Sequence, residues 1–167
     1  VIDYDVTLIN VPYSIKIKNK EYIVTSLDHA IFENCNKLEE ISLPFIGAEK
    51  QTSRSYLGYI FGATSEENNN DFIPSSLKKV KILEGCSRIG YNAFDGCSGL
   101  SEIELPNSLT NIGYNAFDGC SGLTSIKIPS NVTSIEGGAF KGCRSLTNII
   151  IPESVTNIDY STFEDCT

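Results

Sequence analysis

The chain has no tryptophan, no methionine and one histidine, His29, among its 167 residues. A single imidazole rules out a multi-histidine metal centre, and no motif ties a serine or cysteine nucleophile to it. No glycine-rich phosphate loop opens a helix, and neither an H-E-x-x-H nor a calcium-loop pattern occurs. The six cysteines include no C-x-x-C, so the close ligand pairs of a zinc site are missing. No apolar run reaches the roughly 20 residues of a membrane span. Positive charge is scarce as well: 13 Lys and Arg stand against 21 Asp and Glu, a net charge of -8. That balance argues against nucleic acid or an anionic membrane as partner. The first residue is Val and no secretory apolar segment precedes it, so the chain reads as a mature or excised form. The expectation is a protein that is not an enzyme and holds no cofactor or metal.

What the chain does have is repetition. "IGYNAFDGCSGL" occurs at 89–100 and again, unchanged, at 112–123. Cys97, Cys120, Cys143 and Cys166 lie 23 residues apart, as do Phe94, Phe117, Phe140 and Phe163. A strict period in the twenties marks a solenoid, in which each coil touches only its neighbours.

Written in 23 columns, rows 77–99, 100–122, 123–145 and 146–167 place apolar residues at columns 1, 4, 6, 10, 13, 17, 18 and 21. Columns 4 to 6 alternate with period two and end on Pro106, Pro129 and Pro152, which reads as a strand stopped by proline. Columns 10 to 13 predict a second short extended segment. Columns 14 to 20, too short for an α-helix, predict a helical or 3₁₀ turn. Phe fills the interior, Cys is a small buried group at a corner, and Gly96, Gly119 and Gly142 fit a tight turn. Asp165 replaces that glycine in the last row, where the coil is expected to relax. The whole chain reads as one domain of about six coils. Residues 1–13 are an irregular N-terminal cap, 14–44 are divergent coils with 14–23 as a strand, and 45–76 is one enlarged coil. In that coil "TSEENNND" (64–71) is an exposed loop, and 77–167 form four regular coils.

"LTSIKIPSNVTSIEGGAFKGCRSL" and its neighbours resemble the BspA-like (Treponema pallidum type) leucine-rich repeats. The resemblance covers 77–167 strongly, 24–44 fairly and 45–76 weakly. It implies a right-handed, β-rich leucine-rich-repeat solenoid with short parallel strands. It also implies a secreted or cell-surface protein of a bacterium or protozoan parasite, acting in adhesion or in binding host or matrix proteins.

The four-cysteine column reads first as buried free thiols, then as disulfides, and last as metal ligands; Cys97, Cys120 and Cys143 join the four phenylalanines as core. Cys86 replaces an apolar column-10 residue and reads as core too. His29, in the column of Tyr91, Tyr114 and Tyr160, reads as an exposed turn residue. Those tyrosines form either an aromatic platform for protein or sugar, or simple edge packing. Gly137 interrupts them. The outward strand columns give a candidate binding face: Lys79, Lys81, Glu102, Glu104, Lys127, Asn148 and Ile150. The bland alternative is a solvated face on which Lys79 and Lys81 pair Glu102 and Glu104 across strands. Expected partners are protein or glycan, with neither nucleic acid nor membrane insertion. The row ending at Cys166-Thr167 carries no polar cap, so either the protein continues or this end pairs in a dimer. The rival functions are a structural spacer and a carbohydrate-binding module.

Overall fold

A computed structural model of the chain describes residues 5–17, 20–47 and 55–166, and in strands 15–17 and 20–22 the backbone only. The start of the expected N-terminal cap and residues 48–54 of the enlarged coil lie outside it. Its strands are β1 (Leu8–Asn10), β2 (Ser14–Ile17), β3 (Lys20–Ile23), β4 (Glu40–Leu43), β5 (Lys79–Ile82), β6 (Arg88–Ile89), β7 (Glu102–Glu104), β8 (Asn111–Ile112), β9 (Ser125–Lys127), β10 (Ser134–Ile135) and β11 (Asn148–Ile150). One strand per coil builds the front face. β1, β4, β5 and β7 run parallel as one sheet, and β9 and β11 pair as a second. The register follows the repeat: Leu8, Glu40, Lys79 and Glu102 lie side by side, as do Ser125 and Asn148. On another side β6, β8 and β10 form a parallel ladder, extended by a bridge from Ile135 to Ile158. These are the short segments expected at columns 10 to 13.

Between the sheets the apolar columns form one dry interior. Phe94, Phe117 and Phe140 are fully buried. Phe94 and Phe117 stack with centroids 5.1 Å apart and planes 7° from parallel; Phe117–Phe140 and Phe140–Phe163 follow at 5.3 and 5.7 Å, both at 4°. Such a repeat is close to the spacing of neighbouring strands. The thiols stack beside the rings. Cys120 Sγ donates to the Phe94 carbonyl at 3.1 Å, Cys143 to Phe117 at 3.2 Å and Cys166 to Phe140 at 3.1 Å. Each of these three corner cysteines thus satisfies a carbonyl of the preceding coil while packing as an apolar group. Burial pushes the thiols up, that of Cys143 to about 12, so they are neutral donors at ordinary pH.

Three expectations are corrected. The first coil takes its strand from β1 and not from 14–23. Val6, Ile9 and Val11 occupy columns 1, 4 and 6, with Pro12 after them. Ser14–Ile17 and Lys20–Ile23 instead pair antiparallel as β2 and β3, inserted after that strand.

In the regular coils columns 14 to 20 are consecutive turns closed by bonds such as Asp95 N–H to the Asn92 carbonyl at 3.1 Å, the short helical or 3₁₀ turns expected there. Two left-handed residues per coil interrupt any helix: Asn92 (φ 50°) and Gly96 (φ 70°) in one, Asn115 (52°) and Gly119 (68°) in the next. The last coil does not relax. Asp165 adopts the same left-handed turn at φ 59°, which a short polar side chain tolerates.

Finally, "TSEENNND" is ordered. A 3₁₀ turn over Glu66–Asn68 leads into a one-turn helix, α1 (Asn69–Phe72). Buried Asn69 accepts the Gly58 N–H at 2.5 Å and donates to the Asp95 carbonyl at 2.9 Å. This amide ties the insertion to its own coil and to the next. The enlarged coil also contains a 3₁₀ turn at Leu57–Phe61, which sets Tyr59 against His29 and Phe61 against Phe32, 6.2 Å away and tilted by 51°. It closes on Pro74, whose carbonyl accepts the Leu77 N–H at 2.9 Å where other coils use Cys-x-x-Leu.

Candidate recognition surface

The outward residues of the front strands stand in register, and their charges interact as cross-strand geometry requires. Lys79 Nζ lies 2.8 Å from Glu102 and 2.5 Å from Glu104; Lys81 Nζ lies 2.9 Å from Glu104. Hydrogen bonds to Glu102 and Glu104 raise the Lys79 ammonium, and those from Lys79 and Lys81 lower the Glu104 carboxyl. Two lysines and two glutamates thereby neutralise each other across β5 and β7. Each of these pairs is solvent-accessible, and such pairs contribute about 0–1 kcal/mol.

The remaining candidates, Lys127, Asn148 and Ile150, belong to β9 and β11. All three are exposed, Ile150 by 76%. Among the described residues Lys127 has no ion-pair partner. Between the two halves the sheet is split. The N–H of the residue before each strand reaches the preceding coil's carbonyl at 2.8 Å for Glu39 to Thr7, and at 2.9 Å for Lys78 to Glu39 and for Ser101 to Lys78. The next contact, Thr124 to Ser101, stretches to 3.5 Å, and no ladder joins β7 to β9. A cleft of about 590 Å³ follows this seam, walled by Glu102 and Glu104 on one side and Ser125 and Lys127 on the other.

Tyr91 and Tyr114 stack at 5.6 Å with planes 6° apart, so each ring covers a face of the other. Tyr160 leans toward Tyr114, 6.3 Å away and tilted by 56°, across the space that Gly137 leaves. Hydrogen bonding with Tyr160 raises the Tyr114 phenol. His29 is exposed, edge-on to Tyr59 at 5.0 Å, and its Nε2 donates to the Ala63 carbonyl at 3.1 Å.

Two polar features were not singled out in the sequence. Glu136 replaces the glycine of column 14 and clamps three coils: it accepts from Arg88 at 3.1 Å, from the Asn111 amide at 3.0 Å and from the Tyr114 N–H at 3.0 Å. Its signal was a lone acid where Gly90 and Gly113 stand in the rows before it. Asp95 and Asp118 are neighbours in column 19. Burial and the negative charge of Asp118 push Asp95 up to about 6. Among the described residues no group of three or more His, Cys, Asp or Glu is placed to hold a metal.

One strand per coil on a common face, apolar columns inside and a period in the twenties define a leucine-rich-repeat solenoid. The chain belongs to the BspA type leucine rich repeat region family, which matches in six copies over residues 10–55 and 66–167. Six front strands account for six coils. The fold is similar to that of a leucine-rich repeat protein from Bacteroides ovatus, with 31% identity and a TM-score of 0.63 over 95% of this chain and 37% of that one. It is also similar to the Treponema pallidum leucine rich repeat protein (24%, TM-score 0.59, 96% of this chain and 65% of that one). A leucine rich cell surface protein from Faecalibacterium prausnitzii has the same fold (23%, TM-score 0.51, 87% and 47%). The chain therefore spans between about a third and two thirds of these proteins' lengths. No curated protein matches it. Repeat folds of this kind are generally scaffolds for protein interaction, without catalysis. Among the described residues no helix is long and apolar enough to cross a membrane.

Proposed function

We propose that this chain is a non-catalytic recognition module of a secreted or cell-surface bacterial protein, serving adhesion by binding protein partners through its front sheet. The observation that carries this reading is the register of the front strands. Rows of outward side chains are held on a frame whose interior is packed ring on ring. A rigid surface of this kind binds without ordering loops, so little conformational entropy is lost on association. The relative described as a cell surface protein supports the location.

The tyrosine column supports a sugar platform less well. Stacking on a sugar requires exposed ring faces, and Tyr91 and Tyr114 occupy one face of each other.

The test is capture from matrix and epithelial extracts on immobilised protein, read by mass spectrometry. The fourfold swap Lys79→Glu, Lys81→Glu, Glu102→Lys and Glu104→Lys keeps every ion pair but inverts the field of the face. Partners lost on the swap and kept in a Tyr91→Ala, Tyr114→Ala variant support the reading. A set unchanged both by this swap and by charge reversal of Lys127 contradicts it and leaves a spacer; glycan-array binding lost only in the tyrosine variant makes the module a carbohydrate binder.

A further inference from the structure

The two halves of the front face differ in what they leave available. On β5 and β7 every lysine has a glutamate within 2.9 Å, so a partner gains there only by displacing an existing pair. On β9 and β11 the exposed ammonium of Lys127 lies in register with Ile150, an aliphatic side chain 76% exposed. The seam between the halves leaves backbone groups that a ladder would otherwise join, beside a cleft of about 590 Å³. A cleft beside a break in the sheet, one free positive charge and one apolar contact, side by side, suit an extended polypeptide.

We propose that the seam between β7 and β9, with the β9–β11 surface beside it, is the docking site for an extended peptide segment that carries an acidic side chain next to an apolar one. The inference rests on the reading of the front sheet as the recognition face, and it names the half that binds and the chemistry bound. The peptide's carboxylate meets Lys127, and its apolar neighbour covers Ile150. Its main chain lies in the cleft along the seam, with Asn148 as a side-chain donor and acceptor beside it. Alternate side chains of an extended segment share a face, so the two that reach Lys127 and Ile150 across one strand spacing are two residues apart. Selectivity against a basic segment comes from Lys127 itself, since a second cation there is unpaired and repelled. The net charge of -8 opposes the approach of an acidic peptide, so recognition is short-range and association quickens as salt is raised from low levels.

The experiment is a random linear peptide library displayed and panned on the intact chain, then on Lys127→Glu, Lys127→Met and Ile150→Ser. These side chains are exposed, and circular dichroism verifies that each variant is folded. The expected result is enrichment of Asp or Glu within two residues of Leu, Ile or Phe. Selected peptides should bind Lys127→Glu at least about tenfold more weakly, Lys127→Met and Ile150→Ser should be weakened too, and the preference should turn basic on Lys127→Glu. No enrichment, or an enriched motif indifferent to Lys127, overturns the inference. If the fourfold swap on β5 and β7 abolishes protein capture while Lys127→Glu changes nothing, the front face remains the recognition surface and only this assignment falls. If neither change alters capture, both fall.

Discussion

Asp95 shows how a repeat constrains its individual residues. Identical columns place identical charges about one strand spacing apart, so the Asp95 and Asp118 carboxylates face each other half-buried. The chain relieves this one coil later, where Lys141 sits beside Asp118 and 3.3 Å from Glu164. Asp95 lies furthest from that lysine and has the carboxyl raised to about 6. Its folded-state value is therefore above its unfolded one. The contribution to stability is greatest below the unfolded range near pH 4 and is lost as pH rises through about 6. Asp95→Asn is expected to stabilise the protein at pH 8 by about 1 kcal/mol, once solvent screening of a half-exposed group is allowed for. The gain should vanish near pH 4. Urea unfolding at the two pH values measures it, and equal gains at both would contradict the repulsion.

At the scale of the element, the turns decide what the coil can do. The column of Gly96, Gly119 and Gly142 holds φ near 70° and is filled elsewhere by Asn34 and Asp165 at 68° and 59°. A β-carbon at Gly119 meets only Gly96 backbone at 3.4 Å, so space is not the obstacle. Gly119→Ala is expected to cost about 1–2 kcal/mol from the left-handed backbone alone, and Gly119→Asn less, because asparagine visits that region more readily. Gly138 is different, because a β-carbon there collides with the Asn115 amide oxygen, so Gly138→Ala costs more than Gly119→Ala. Thermal or urea unfolding of the three variants ranks them. Equal losses for Ala and Asn at 119 would show that backbone handedness is not what the column selects.

These turns also mark where the sequence was legible and where it was not. Columns whose residues face a shared dry interior announce themselves, because every coil meets the same packing demand; Phe117 and Cys120 were readable for that reason. The left-handed position at Asn92 and Asn115 leaves no such mark, because four residue types fill that column: Ala30, Asn92, Asn115, Gly138 and Ser161. Asn69 leaves no periodic trace, because its polar side chain is buried by two specific backbone partners. Strand β1 had a readable signal in Val6, Ile9, Val11 and Pro12, obscured by the antiparallel pair of β2 and β3 that follows at once. On the face, the ion pairs of Lys79 and Lys81 were readable from column positions. The split between β7 and β9 was not, since no residue at Ser125 or Thr124 departs from strand preferences.

At the scale of the whole molecule, coils that touch only their neighbours make stability a chain of local terms and make the recognition face as rigid as the stack behind it. The ring column tests that idea directly. Phe94 stacks on Phe117 at 5.1 Å, whereas Phe94 and Phe163 are separated by two intervening rings. The decisive measurement is a pair of double-mutant cycles by urea unfolding, with leucine replacing Phe94 and Phe117 in one and Phe94 and Phe163 in the other. Leucine keeps each site apolar while removing the ring. Stacked coils predict a coupling of about 0.5–1.5 kcal/mol for the neighbours and additivity within about 0.5 kcal/mol for the distant pair. Additive neighbours, or equal coupling in both cycles, would contradict a structure in which each winding rests on the next.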